Sequence, residues 1–81
     1  MFLEIVTPDQ KVFEGEVISA SFPGTKGSFQ VLENHAPIIS SLEKGMIKVN
    51  TSKEESVFEV EGGVVEVSEN KIAVLATSLV A

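Results

Sequence analysis

"VFEVEGGVVEVSENKIAVLA", residues 57–76, decides the fold class of this chain. Val57, Glu59 and Glu61 alternate with Phe58 and Val60, and Glu66 separates Val65 from Val67. A period of two is the pleat of a β-strand, with carboxylates on one face and apolar groups on the other. "VVEV" and "KIAVLA" flank the polar "SEN" and read as a hairpin. Gly62-Gly63, just before them, permits a tight two-residue reversal. Strands that are wet on one face suit antiparallel sheets. Parallel pairing needs a crossover connection of about a dozen residues or more, usually a helix. No stretch of the chain carries that pattern. The one candidate helical turn lies in "APIISSLEK", residues 36–44, framed by Pro37 and Gly45.

Outward from this segment the pattern repeats. "FLEIVTPDQKVFEGE" sets Leu3 and Ile5 against Glu4, turns at Pro8-Asp9, and resumes at Val12-Phe13 before Gly15. "EVISASF" follows and closes at Pro23-Gly24, Gly45 opens "MIKVN", and "TSKEES" reads as a polar loop. The expectation is an all-β domain spanning residues 1–81, with about eight to ten short strands in a two-layer antiparallel sandwich or a flattened barrel. The apolar "LV" near the end of the sequence suggests that the core is complete at the last hairpin.

Composition removes several classes of function. The chain has 81 residues, too few for more than one domain, and 43% of them are hydrophobic. It has no cysteine, which removes disulfides, thiolate chemistry and sulfur metal cages, and fits a reducing compartment. No apolar run is long enough to cross a bilayer as a helix, and the alternating start with Glu4 is unlike a signal peptide. Six lysines, no arginine and twelve acidic residues give a formal charge of −6. Nucleic-acid binding needs clustered basic side chains to neutralise phosphate, and there is no such cluster. The acidic excess serves solubility or faces a basic partner.

The least periodic stretch is "PGTKGSFQVLENHAPI", residues 23–38. "PGTKGS" is not a phosphate loop, because Lys26 precedes Gly27 and a strand-like Ser28-Phe29 follows. It reads as a surface turn, with Pro23 presetting φ and Gly24 free to take positive φ. His35 is the only imidazole. It has no accompanying metal ligands and no nucleophile set, so its expected role is to order the turn by bonding to backbone, with Pro37 holding Ala36 extended. Glu54-Glu55 and Glu59-Glu61 are solvated strand or loop carboxylates and not an acid–base pair. Lys48 in "GMIKVN" leaves an alternative, a small all-β carrier module of lipoyl or biotinyl type modified on that lysine. Against it, Lys48 falls mid-strand and the hairpin tip falls later, at "TSKE". Val31-Leu32 and Ile38-Ile39 bracket a stiff loop, the pattern of a docking patch and not of a cleft.

"FPGTKGSFQVLENHAPIISSLEKGMIKV" carries a family likeness through Gly24, Gly27, His35, Ala36, Pro37, Leu42 and Gly45. With "FEGEV" at 13–17, "EGGVVEV" at 61–67 and "KIAVLA" at 71–76, it resembles the N-terminal domain of the epsilon subunit of the F-type ATP synthase, over residues 3–77. The resemblance implies a ten-stranded β-sandwich on the central rotor stalk, between the gamma subunit and the polar loops of the membrane c-ring. It implies a non-catalytic, cofactor-free subunit of the hetero-oligomeric F1 complex, peripheral to the cytoplasmic face of the membrane, that supports the coupling of ion flow to ATP synthesis. Residues Gly27, Ser28, Phe29, Gln30, Val31 and Leu32 would lie toward the ring, with Glu33 beside them, and the region of His35, Ala36 and Pro37 would support gamma. Pro23, Gly24, Gly45, Gly62 and Gly63 would shape the turns. The chain departs from the family at Ser28, where a carboxylate is usual, at Gln30, where glycine is usual, and at Glu33-Asn34, where Pro-Gly is usual. Glu33 is then the nearest carboxylate. The familiar subunit continues into a two-helix C-terminal domain, so the resemblance implies either a short form without it or a piece of a longer chain.

Overall fold

The computed structural model describes residues 1–79. Among them nine strands form: β1 (Phe2–Val6), β2 (Lys11–Glu16), β3 (Ser19–Phe22), β4 (Phe29–Leu32), β5 (Ile38–Leu42), β6 (Gly45–Asn50), β7 (Glu55–Val60), β8 (Gly63–Ser68) and β9 (Lys71–Ala76). They make two sheets, one of order β2-β1-β9-β8-β5 and one of order β4-β3-β6-β7. The molecule is therefore a sandwich and not a closed barrel. The ten strands implied by the resemblance come to nine, with isolated bridges at Gly24–Leu42 and Val60–Leu79. The expectation of a domain ending at residue 81, and of Val80 in its apolar end, lies in part outside the described residues.

Period-two alternation builds the core. β9 alternates exposed Lys71, Ala73 and Leu75 with buried Ile72, Val74 and Ala76. Leu3, Ile5, Val65 and Val67 join them from the same sheet, facing Phe22, Val31, Ile47, Val49 and Val60 of the other. Each fully buried aliphatic side chain contributes about 1.5–3 kcal/mol relative to exposure. At one side of the sandwich the Phe13 and Phe58 rings meet edge to face at 5.8 Å, joining β2 to β7 through side chains and not through a ladder. The buried hydroxyl of Ser19 accepts from Asn50 Nδ2 at 3.0 Å, and no buried side-chain N or O among the described residues lacks a partner.

Three local expectations are corrected. Residues 38–42 are strand β5, pairing with β8 from Ile38↔Val67 to Leu42↔Gly63, and not a helical turn. Two β-branched isoleucines and a free ladder edge on β8 outweigh a helical pattern only one turn long. Gly62-Gly63 does not close a hairpin, because β7 belongs to the four-stranded sheet and β8 to the five-stranded one. The pair is the corner where the chain changes sheet. Third, β1 and β9 pair in parallel, Leu3↔Ile72 and Ile5↔Val74, although every other pairing is antiparallel. No crossover helix is needed, since nearly the whole chain lies between the two strands. The β8–β9 hairpin forms as expected, with Glu69 (φ 52°) and Asn70 (φ 61°) as a two-residue turn between paired Ser68 and Lys71. Positive φ at both central residues is the mark of a type I′ turn, which matches the twist of the strands.

Candidate functional site

Residues 27–37 span edge strand β4 and the loops at its two ends. Four residues of strand set those ends about 10 Å apart. The stretch is therefore two sites and not one.

At the first end, the turn after β3 is stitched to β5. Gly27 N–H donates to Gly24 O at 3.0 Å, Thr25 N–H donates to Ser41 O at 3.1 Å, and the hydroxyls of Thr25 and Ser41 lie 2.9 Å apart. Pro23 O accepts from Glu43 N–H at 2.9 Å. The positive φ expected at Gly24 is found at Gly27 instead (126°). What excludes a side chain at Gly24 is space: a Cβ there would stand 2.7 Å from Gly27 O and 3.0 Å from the Phe29 ring. Gly45 is excluded in the same way, by Pro23 Cβ at 2.8 Å. Gly27 and Ser28 are left exposed at the tip.

β4 itself alternates. Gln30 and Leu32 point outward, and Leu32 is 53% exposed. Val31 is fully buried, and Phe29 is half-buried with its ring 5.6 Å from that of Phe22. Val31 therefore belongs to the core and cannot serve as a contact in this conformation, because the strand's period turns it inward.

At the second end, the loop from β4 to β5 carries the chain from one sheet to the other. His35 N–H donates to Leu32 O at 3.1 Å, and His35 Nδ1–H donates to Ala36 O at 2.6 Å, the ordering role expected of this side chain. Asn34 takes φ 64°. Glu33 Oε1 lies 3.5 Å from the Met1 α-ammonium, which also lies 3.3 Å from Glu16 Oε1. Ala36 and Pro37 stand exposed beyond these contacts.

A further surface escaped the sequence reading. On the outer face of the five-stranded sheet, register places Val6 beside Leu75 and Leu75 beside Val64, with Ile39 on the neighbouring strand. Ile39 is 72% exposed and Leu75 56%. A shallow apolar hollow of about 340 Å³ lies among Val6, Val64, Ala73 and Leu75, edged by Glu4 and Glu66. At the rim, Lys11 Nζ lies 3.1 Å from Glu14 Oε1 and 3.4 Å from Glu4 Oε2, and the hydrogen bond to Glu14 raises its pKa. The outward apolar residues of β1, β8 and β9 were each visible in the alternation, but only the register aligns them.

Lys48 is exposed mid-strand on β6, opposite Ser21 and Val57, and not at a hairpin tip. Among the described residues no group of three or more acidic or imidazole side chains could hold a metal ion, and no helix is long and apolar enough to cross a membrane.

Known proteins are similar to this chain in sequence and in fold. Residues 1–81 match the family model for the ATP synthase delta/epsilon chain, β-sandwich domain. The ATP synthase epsilon chain of Chlorobium limicola is 45% identical over 74 residues, covering 90% of this chain and 84% of that one. A chain in the cryo-EM structure of the Tetrahymena thermophila mitochondrial ATP synthase central stalk and c-ring superposes with a TM-score of 0.82 at 17% identity, covering 98% of this chain and 64% of that one. A chain in the Euglena gracilis mitochondrial ATP synthase OSCP/F1/c-ring structure superposes at 0.89 with 18% identity, covering 96% and 51%. The two structures share the fold, and the sequence relationship carries the family: the chain belongs to the ATP synthase delta/epsilon family, as its β-sandwich domain.

Proposed function

We propose that this chain works on the rotor of an F-type ATP synthase, as a non-catalytic central-stalk subunit that bridges gamma and the c-ring. Residues 1–81 act as one unit of the epsilon N-terminal type, peripheral to the cytoplasmic face of the membrane. The observation that carries the reading is the exposure of Gly27-Ser28 and of Ala36-Pro37 at opposite ends of β4, with an exposed apolar sheet face on the other sheet. Gly27, Ser28, Gln30 and Leu32 face the polar loops of the ring. Glu33, His35, Ala36 and Pro37, together with Ile39, Val64 and Leu75, face gamma.

The physical case is one of rigidity. A shaft transmits torque only through parts that do not yield, and a packed sandwich of 29 × 27 × 18 Å holds both contact zones on one core. The formal charge of −6 suits basic loops on the ring side, through steering more than through affinity. An apolar face ringed by carboxylates suits gamma, where desolvated side chains carry most of the binding energy.

The test is reconstitution. The chain is expected to co-elute with its cognate gamma subunit on a sizing column, and separate elution of two folded proteins overturns the reading. Substitution of Gly27 or His35 is expected to lower coupled ATP synthesis while hydrolysis by the free hexamer persists. Unchanged coupling would remove those residues from the interface.

A further inference from the structure

We infer that Asn70, in the β8–β9 turn, is a positioning residue that presets the 33–37 loop for its partner. This rests on the rotor reading above, since the loop is there a contact with gamma. Asn70 lies far from that loop in sequence and against it in space. Its Oδ1 accepts the main-chain N–H of Asn34 at 2.9 Å, and its Nδ2 donates to Glu33 Oε2 at 3.5 Å. Its own carbonyl accepts from Phe2 N–H at 3.1 Å, which anchors the turn to β1. One side chain thus ties the crossing loop to the β8–β9 hairpin of the other sheet.

The loop needs such a tie. It leaves β4 on an edge strand and takes a left-handed residue at Asn34, a conformation that asparagine tolerates but that turns its amide out of any ladder. Apart from Asn70, the contacts that hold it among the described residues are the bonds of His35 to Leu32 O and Ala36 O and the ion pair of Glu33 with the Met1 α-ammonium. An exposed loop held so lightly would sample other shapes, and each unbound shape lowers the apparent affinity by the fraction of time spent in it. Asn70 holds the amide of the left-handed residue itself, and so removes part of the ordering entropy before the partner arrives. Asparagine suits the place twice over. It tolerates the φ of 61° that the turn requires, and its amide offers an acceptor and a donor to two successive residues.

The experiment compares the wild-type chain with Asn70→Gly and Asn70→Asp, each for gamma binding, thermal unfolding and amide exchange. Asn70→Gly keeps the positive φ at no steric cost and deletes only the amide. It is expected to leave the unfolding temperature within about 5 °C of wild type, to speed exchange of the Asn34 amide, and to weaken gamma binding by roughly tenfold. Asn70→Asp keeps the acceptor for Asn34 but sets a second carboxylate against Glu33. Its loss of affinity is expected in the native background and not in a Glu33→Gln background, where the introduced amide donates to it; a merely structural role would not show this coupling. Wild-type binding with Asn70→Gly inside about twofold of it overturns the inference and leaves the rotor reading standing. A wild-type chain that does not bind gamma overturns both. If Asn70→Gly does not fold, the Asp and Glu33→Gln cycle decides, and additive effects in that cycle overturn the inference.

Discussion

Gly63 and Gly27 both hold positive φ, at 150° and 126°, yet a methyl group meets different surroundings at each. A Cβ on Gly63 would collide with the Leu75 carbonyl oxygen and stand 2.9 Å from Ala76 Cα. Those atoms are main chain in a paired strand and cannot step aside. A Cβ on Gly27 meets nothing within 4 Å, so only backbone strain opposes it. Gly63→Ala is therefore expected to lower stability by about 2–4 kcal/mol, and Gly27→Ala by about 1–2 kcal/mol. Urea unfolding of the two variants measures both values. Equal losses would mean that the close approach at the sheet-changing corner relaxes when challenged. Stability and binding should also separate here, because Gly27 sits in the proposed ring-facing tip and Gly63 does not.

Within an element, alternation assigns neighbouring residues to different tasks, and β9 is the clearest case. Ile72 is fully buried and Leu75 is more than half exposed on the same six-residue strand. Ile72→Ala is expected to cost about 2–5 kcal/mol in unfolding free energy. Leu75→Glu should stay within about 0.5 kcal/mol of wild type while abolishing co-elution with gamma. Retained co-elution would show that the outer face is not the contact, and loss of fold would show that Leu75 carries stability despite its exposure. This division was legible in the sequence wherever the period of two ran on, as in β8 and β9, because burial follows parity along a strand. The inward turn of Val31 is hidden in the sequence, because the Gly/Pro-marked stretch around it obscures the parity of a strand only four residues long. β5 is a candidate helical turn in the sequence because Ile38-Ile39 and Leu42 fit both periods over so few residues, and the ladder on β8 that decides the matter is remote. The β8–β9 hairpin is legible from its neighbours alone, although its two-residue type I′ turn is not. The Gly62-Gly63 corner is not legible, since the same dipeptide serves a hairpin or a change of sheet, and only partner strands distinguish the two.

At the scale of the molecule, the parallel pair β1–β9 brings the beginning of the chain against its last strand. No local pattern announces such a pairing, because its partners are some 70 residues apart and each is satisfied by any strand of matching parity. The same pairing puts β9 at the centre of the five-stranded sheet and leaves β7 at an edge of the other. Two consequences follow from this geometry. Closing so long a loop before its contacts form is entropically unfavourable, so refolding should be slow for a domain of this size, on the millisecond-to-second scale, with rates of roughly 1–100 per second in stopped-flow dilution. Opening is graded in the same sense. The amides of Leu3, Ile5, Ile72 and Val74 should exchange only through global unfolding, whereas those along edge strand β7 should exchange through local opening at lower free energy. Native-state hydrogen exchange across increasing urea measures this ordering. Were β1 to exchange as readily as β7, the junction of first and last strands would be a loose flap, and the sandwich would lack the stiffness that a torque-bearing part requires.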